Sequence, residues 1–370
     1  MRRRTFLGTV GSGSALGLAG CLTRDGEGDE NGGNGGDGGS EGDGTLTVVT
    51  YESMIDTEDS AGPWLKEAFE DEFDAELEWE QLPDGGINHY IQRADRDAGI
   101  DADVYLGLNV DDLVRVDDQL EDGALFRELD RDRLERADRV RDEFALGDPH
   151  GRTLTYDMGY ISLVYDENEV AEPASLEDLT EPEYENTLLA QNAQKADSGQ
   201  AFLLWTIDAF GEDGYLDYWQ RLEDNGVRVL DGWTESYSGA YMEGERPMVV
   251  SYSTDQVYTN RFDYDFSRHQ VAFPNEQGYA NPEGMAIFED AGDVDLAYDF
   301  FDFVLSSEAQ AEIATRNVQF PAVADEHVDL DEEFDEYAHR PSEMVSFDYD
   351  GLRGNLDGWV EDWAREFAGQ

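Results

Sequence analysis

The chain has 370 residues, of which 87 are acidic and 25 basic, for a formal net charge of -62. So negative a chain repels a polyanion, which excludes nucleic acid as a partner. The acids are spread along the whole sequence, which reads as an adaptation to high salt, where screening shortens electrostatic range, and not as a trap for cationic cargo; 39% hydrophobic residues with 7 Trp, 18 Tyr and 18 Phe suffice to fold, and the length implies two lobes.

In chain order the first feature is an address. Arg3-Arg4-Thr5-Phe6-Leu7 is a twin-arginine pattern followed by a short apolar stretch, Val10 to Ala19, and reads as an export signal. It ends in Leu18-Ala19-Gly20-Cys21, which resembles a lipobox with Cys21 as the lipid attachment point, so residues 1–21 are expected to be signal and lipobox. Cys21 is the sole cysteine, so no disulfide can form within one chain and no thiol remains for a metal or a nucleophile. Residues 22–44 are almost wholly Gly, Asp, Glu, Asn and Ser, too polar to offset chain entropy, and are expected to be a disordered tether.

Thr45 to Tyr51 alternates apolar and polar residues and predicts a strand. A helix is expected from about Pro63, a strand over Leu77–Leu82, a helix over Asn88–Ala98 and a strand over Ala102–Leu108. This alternation predicts a mostly parallel sheet covered by helices, with ligands approaching the carboxyl ends of the strands. Further strands are expected over Tyr156–Tyr165, Val227–Leu230, Pro247–Tyr252 and Gly284–Phe288. Helices are expected over Gly199–Phe210 and Tyr215–Glu223, in one run from Leu296 to Ala314, and over Leu356–Phe367.

Catalytic signals are missing. Carboxylate pairs such as Asp111-Asp112 carry no information among so many acids, and His89, His150, His269, His327 and His339 show no zinc-ligand spacing. No phosphate loop or nucleophile elbow is present, so an enzyme is not expected. What clusters instead is aromatic and hydroxyl residues in loops: Gly232 to Tyr237, Ser251 to Asp255, then Tyr258. Aromatic faces beside a carboxylate suit a flat, cationic ligand.

At these segments the chain resembles the periplasmic thiamine-binding proteins of ABC importers, here as a lipoprotein of a salt-loving archaeon. The likeness rests on an ordered series: VVTYESM (48–54), GPWLKEAFE (62–70), DVYLGL (103–108), YDMGYISLVYDEN (156–168), LLW ending at Trp205, GWTESY (232–237) and SYSTDQVY (251–258). The resemblance implies an α/β, two-lobed type II periplasmic-binding fold with hinge crossovers. Lobe 1 would comprise residues 45–155 and 285–318, and lobe 2 residues 156–284 and 319–370. Thiamine would be captured between the lobes and passed to an ABC permease and ATPase, with no cofactor or metal, by a monomer lipid-anchored on the extracellular face.

Carried over by residue, the resemblance places ligand contacts at Asp84, Gly85, Trp233 and Tyr252, Ser253, Thr254 and Asp255, with Tyr51 and Tyr258 flanking the cleft. Trp233 and the tyrosines would enclose the rings, Asp84 would face the aminopyrimidine or thiazolium, and Ser253 and Thr254 would bond polar edges. Two departures stand out. Ala196-Asp197 replaces a Ser-Thr pair, and the Asp197 carboxylate would disfavour phosphate esters of the ligand; Val318 replaces an aromatic before the last crossing. The competing readings are a polyamine-binding or iron(III)-binding protein of an ABC importer, and a surface-anchored hydrolase. Iron fits less well because Tyr252 is followed by Ser253 and not by a second tyrosine.

Overall fold

A computed structural model describes residues 44–83, 85–120 and 125–367. The twin-arginine pattern, Cys21 and the tether up to residue 43 lie outside the described residues, as does Asp84. Among the described residues no helix is long and apolar enough to cross a membrane.

The strands are β1 (Thr45–Thr50), β2 (Glu76–Gln81), β3 (Val104–Leu108), β4 (Thr153–Tyr165), β5 (Leu188–Gln191), β6 (Arg228–Leu230), β7 (Met248–Tyr252), β8 (Gln270–Ala272), β9 (Gln277–Ile287), β10 (Phe320–Pro321) and β11 (Glu343–Val345). They form one sheet in the order β2-β1-β3-β9-β4-β7-β5-β6, with β8 and β10 pairing with β4 and β11 with β9. All thirteen residues of β4 are buried, because it is paired along both edges and covered on both faces. This explains a near-continuous apolar run where a half-exposed strand would alternate.

The expectation of a mostly parallel sheet holds at the two ends only. β1 is parallel to β2 and β3, and β5 to β6 and β7, each joined through crossover helices as parallel strands require. The middle is antiparallel: β3 with β9, β9 with β4, and β4 with β7.

The register of these pairs sets the geometry of the molecule. β3 ends at Leu108 opposite Gly284 of β9, and β7 ends at Tyr252 opposite Ile161 of β4, which itself faces Tyr279. β3 and β7 run in opposite directions, so their carboxyl ends point toward each other along the β4–β9 ribbon. Between them lie residues 156–160 of β4 and 280–283 of β9, a span of roughly 15 Å at strand rise.

Two aromatic-rich cores flank this span. On one side Phe69, from the helix Ala61–Glu72, meets Phe300 and Phe303 of the helix Val294–Val304 edge-on at 5.5 and 5.4 Å. On the other, Trp219 of the helix Tyr215–Asp224 meets Trp363 of the helix Leu356–Phe367 edge-on at 5.2 Å. Such pairs add about 1 kcal/mol each beyond the burial of their surface.

The single helix expected from Leu296 to Ala314 is two, Val294–Val304 and Ser307–Arg316. Ser306 breaks the run: its backbone is extended and its Oγ accepts from Ala309 N at 3.2 Å, the geometry of an N-cap. The strand expected at Gly284 begins seven residues earlier, because Asn281-Pro282-Glu283 reads as a turn and is in fact paired with β4. β5 and the helix Val110–Gln119 were not anticipated.

Candidate functional site

The span between the facing carboxyl ends gathers polar side chains from distant parts of the sequence. Register places Asp157 opposite Glu283 and Gly159 opposite Asn281, so these four project on one side of the ribbon. Tyr51 arrives from the end of β1, Tyr252 from the end of β7, and Asn317 and Gln319 from the segment leading into β10.

Hydrogen bonds join them. The Tyr51 hydroxyl accepts from Asn317 Nδ2 at 2.7 Å and lies 3.1 Å from the Tyr156 hydroxyl, which donates to Glu283 Oε2 at 2.7 Å. Asn317 Nδ2 also donates to Asp157 Oδ2 at 2.9 Å. From the end of β3, Asn109 Nδ2 donates to Asn281 Oδ1 at 3.2 Å and to the Pro282 carbonyl at 3.1 Å. Asp157 Oδ1, Gln319 Oε1 and Asn281 Nδ2 are buried without a hydrogen-bond partner, and buried polar atoms of this kind are costly unless a ligand or water engages them.

Gly159 makes room for this assembly. A Cβ there would stand 2.4 Å from Gln319 Oε1 and 2.6 Å from the Tyr252 ring, so only glycine lets both groups lie over the strand.

The electrostatics are those of carboxyls gathered away from water. Burial, then Glu283, pushes the Asp157 carboxyl well above its usual range, and burial raises Glu283 in spite of its bonds from Tyr156 and Tyr51. Asp197 opens the helix Asp197–Phe210. Solvent reaches its side chain, yet protein surrounds it, and desolvation, then Asp111 and Glu283, push it up to about 7. Burial, then Glu283, also raises the Tyr51 and Tyr252 hydroxyls well above 10. The nearby cation, Arg115, is already engaged: it bonds Asp111 at 3.2 Å, lies 3.6 Å from Asp112 and 3.7 Å from Asp357, and donates to Gln200 Oε1.

A second group of the expected residues lies around the loop after β6. GWTESY runs into a π-helical turn, Glu235–Tyr241, a form often found at functional sites. Trp233 stacks on Tyr237 with centroids 4.7 Å apart and donates from Nε1 to Ser251 Oγ at 3.0 Å. Tyr258 meets Tyr237 edge-on at 6.4 Å. Ser251 precedes Tyr252 on β7 and so projects to the opposite side of that strand.

The expected residues therefore divide. Tyr51, Asp197 and Tyr252 converge at the span between the carboxyl ends, while Trp233 and Tyr258 belong to the aromatic group at Tyr237. Ser253 and Thr254 are buried after β7; Ser253 N donates to the Tyr160 carbonyl at 2.9 Å and its Oγ has no partner. Asp255 is turned inward, with Oδ2 2.9 Å from His269 Nδ1. Ala196 is the extended residue before the helix Asp197–Phe210. Gly85, at φ +95, is exposed beside the undescribed Asp84. Val318 is half-buried with φ +56, a region a β-branched residue adopts only under strain.

Asp157, Glu283, Asn281, Asn317 and Gln319 were not anticipated as site residues. The one signal the sequence held for them is Asp157, a carboxylate in the middle of an apolar strand. Among the described residues, no group of three or more His, Cys, Asp or Glu side chains is arranged to hold a metal ion.

Residues 102–349 match the family described as bacterial extracellular solute-binding protein. The chain is similar to a thiamine-binding periplasmic protein of Escherichia coli strain K12, 28% identical over 322 residues that cover 86% of this chain and 92% of the relative. It is also similar to a thiamine-binding periplasmic protein of Brucella suis biovar 1, 29% identical over 283 residues, 75% of this chain and 79% of the relative. Among solved structures, a periplasmic thiamin binding protein superposes with a TM-score of 0.73 at 27% identity, covering 87% of this chain and 95% of that one.

Proposed function

Because the chain belongs to the family of bacterial extracellular solute-binding proteins, we propose that it captures thiamine between its lobes and delivers it to an ABC importer. The fold is the two-lobed, type II periplasmic-binding fold, and its matched relatives are binding proteins, not enzymes. In our reading β4, β9 and β10 are the crossing strands, with lobe 1 formed by residues 45–155 and 285–318 and lobe 2 by 156–284 and 319–370. Export by the twin-arginine route, lipidation at Cys21, a flexible tether and a monomeric state complete the proposal.

The observation that carries it is the convergence of Tyr51, Asp197 and Tyr252 on one acid-rich span between facing strand ends. Rings from β1 and β7 flank carboxylates there, which suits a flat ligand bearing a permanent positive charge. Closure of two lobes on such a ligand needs contacts from both, and these residues come from both. The acid-rich floor would also serve a polyamine, so spermidine belongs in the test.

Intrinsic tryptophan fluorescence in molar salt, titrated with thiamine, spermidine and ferric citrate, decides between the ligands. Quenching by thiamine whose midpoint moves at least tenfold higher in Tyr252→Ala is the expected result. A response to spermidine or iron alone would overturn the thiamine reading.

A further inference from the structure

Asp157 and Glu283 are cross-strand partners at the centre of the span. Asp157 is fully buried and Glu283 is 6% exposed. Buried carboxylates are ordinarily paired with Arg or Lys, yet no basic side chain among the described residues forms an ion pair with either. Their partners are neutral donors: Asn317 to Asp157 Oδ2 and Tyr156 to Glu283 Oε2. Arg115, the cation whose charge acts on Asp197, is taken up by Asp111, Asp112, Asp357 and Gln200.

What remains unpartnered on this side of the ribbon is mostly acceptor. Asp157 Oδ1 has no partner, and Gln319 Oε1, buried and equally unpartnered, stands over Gly159, two residues along the same strand. Two carboxylates held opposite each other away from bulk water repel unless a positive group or a proton stands with them. Resting on the reading of this span as the ligand cleft, we propose that Asp157 and Glu283 form its charge-recognising floor, a paired-carboxylate cradle for the cationic, nitrogen-bearing part of the ligand.

In the empty protein the pair retains a proton, and an incoming cation replaces it. The titratable groups that face the pair are Tyr51 at the end of β1, Tyr156 on β4, Tyr252 on β7 and Asp197 at the start of its helix. The three hydroxyls are all raised, so they stay neutral at pH 7. Asp197, raised to about 7, can also release a proton there, and it has its own variant.

The test is calorimetric titration of the full chain with thiamine at pH 7 in molar salt, in two buffers of different ionisation enthalpy. Wild type and Asp197→Asn are both expected to release a measurable fraction of a proton, up to about one, on binding. Glu283→Gln and Asp157→Asn, which keep size and shape, are expected to lose at least tenfold in affinity and the pair's share of that release. Wild-type binding with unchanged affinity and proton count in both amide variants would overturn the cradle and leave the proposed function standing. If the wild type responds to spermidine and not to thiamine, the ligand reading falls and the same comparison is made with spermidine. A chain that binds neither overturns both. Should Asp157→Asn fail to fold, Glu283→Gln and the wild-type proton count decide.

Discussion

The Tyr252 ring occupies the space where residue 159 would carry a side chain: a Cβ on Gly159 would meet it at 2.6 Å. Neither can move freely, since Gly159 is in mid-strand, opposite Asn281, and Tyr252 ends β7. Gly159→Ala is therefore expected to push Tyr252 and Gln319 off the strand, weakening ligand binding at least tenfold and costing about 1–3 kcal/mol of stability through overpacking. Titration and thermal unfolding of the same variant measure both; unchanged affinity would mean that Tyr252 does not touch the ligand.

Asp197 gives a pH signature. Its carboxyl, raised to about 7 by desolvation, Asp111 and Glu283, keeps a proton that the unfolded chain has lost by about pH 4. The unliganded protein therefore loses stability through this group as pH rises from about 4 to about 7. A cationic ligand has the opposite preference, so its affinity is expected to rise across pH 6–8. Asp197→Asn should abolish this loss of stability, keep only the part of the affinity rise that the Asp157–Glu283 pair supplies, and bind about three- to tenfold more weakly than wild type at pH 8. A variant profile as steep as that of wild type would show that Asp197 gives up no proton on binding.

Breaking the Asp255–His269 contact leaves one polar group of a buried pair unsatisfied. Asp255→Ala is expected to cost about 2 kcal/mol, read as a fall in the denaturation midpoint. A variant as stable as wild type would show that the 2.9 Å contact contributes nothing.

Val318 offers a change in the other direction. Its φ of +56 suits Asn better than a β-branched residue, and Val318→Asn is expected to stabilise the chain by about 1 kcal/mol, raising Tm by roughly 2 °C. A lower Tm would show that the packing of Val318 outweighs its backbone strain.

How much of this was legible depended on whether a feature is local. The apolar run Tyr156–Tyr165 announced β4; GWTESY and SYSTD marked aromatic and hydroxyl groups, but Ser251 and Tyr252 close β7 and Glu235–Tyr241 is a π-helical turn where loops were expected. β5 escaped because four residues are too few to show a period, and the start of β9 because Pro282 mimics a turn. The pairing of Asp157 with Glu283 was invisible for a different reason. With 87 acids in the chain, nothing singles out two of them until β4 and β9 are in register, 126 positions apart in sequence.

The span between β3 and β7 is assembled from residues 51, 109, 157, 197, 252, 283 and 317–319. No piece of the chain shorter than residues 51–319 contains the span, because Asn317, which bonds Asp157, also bonds Tyr51 at the other end of that stretch. Contacts so remote in sequence form slowly, since much loop entropy is lost before they stabilise anything. Synthesis must run past residue 319 before the span exists, so a nascent chain shorter than that lacks it, whatever the solute concentration around it.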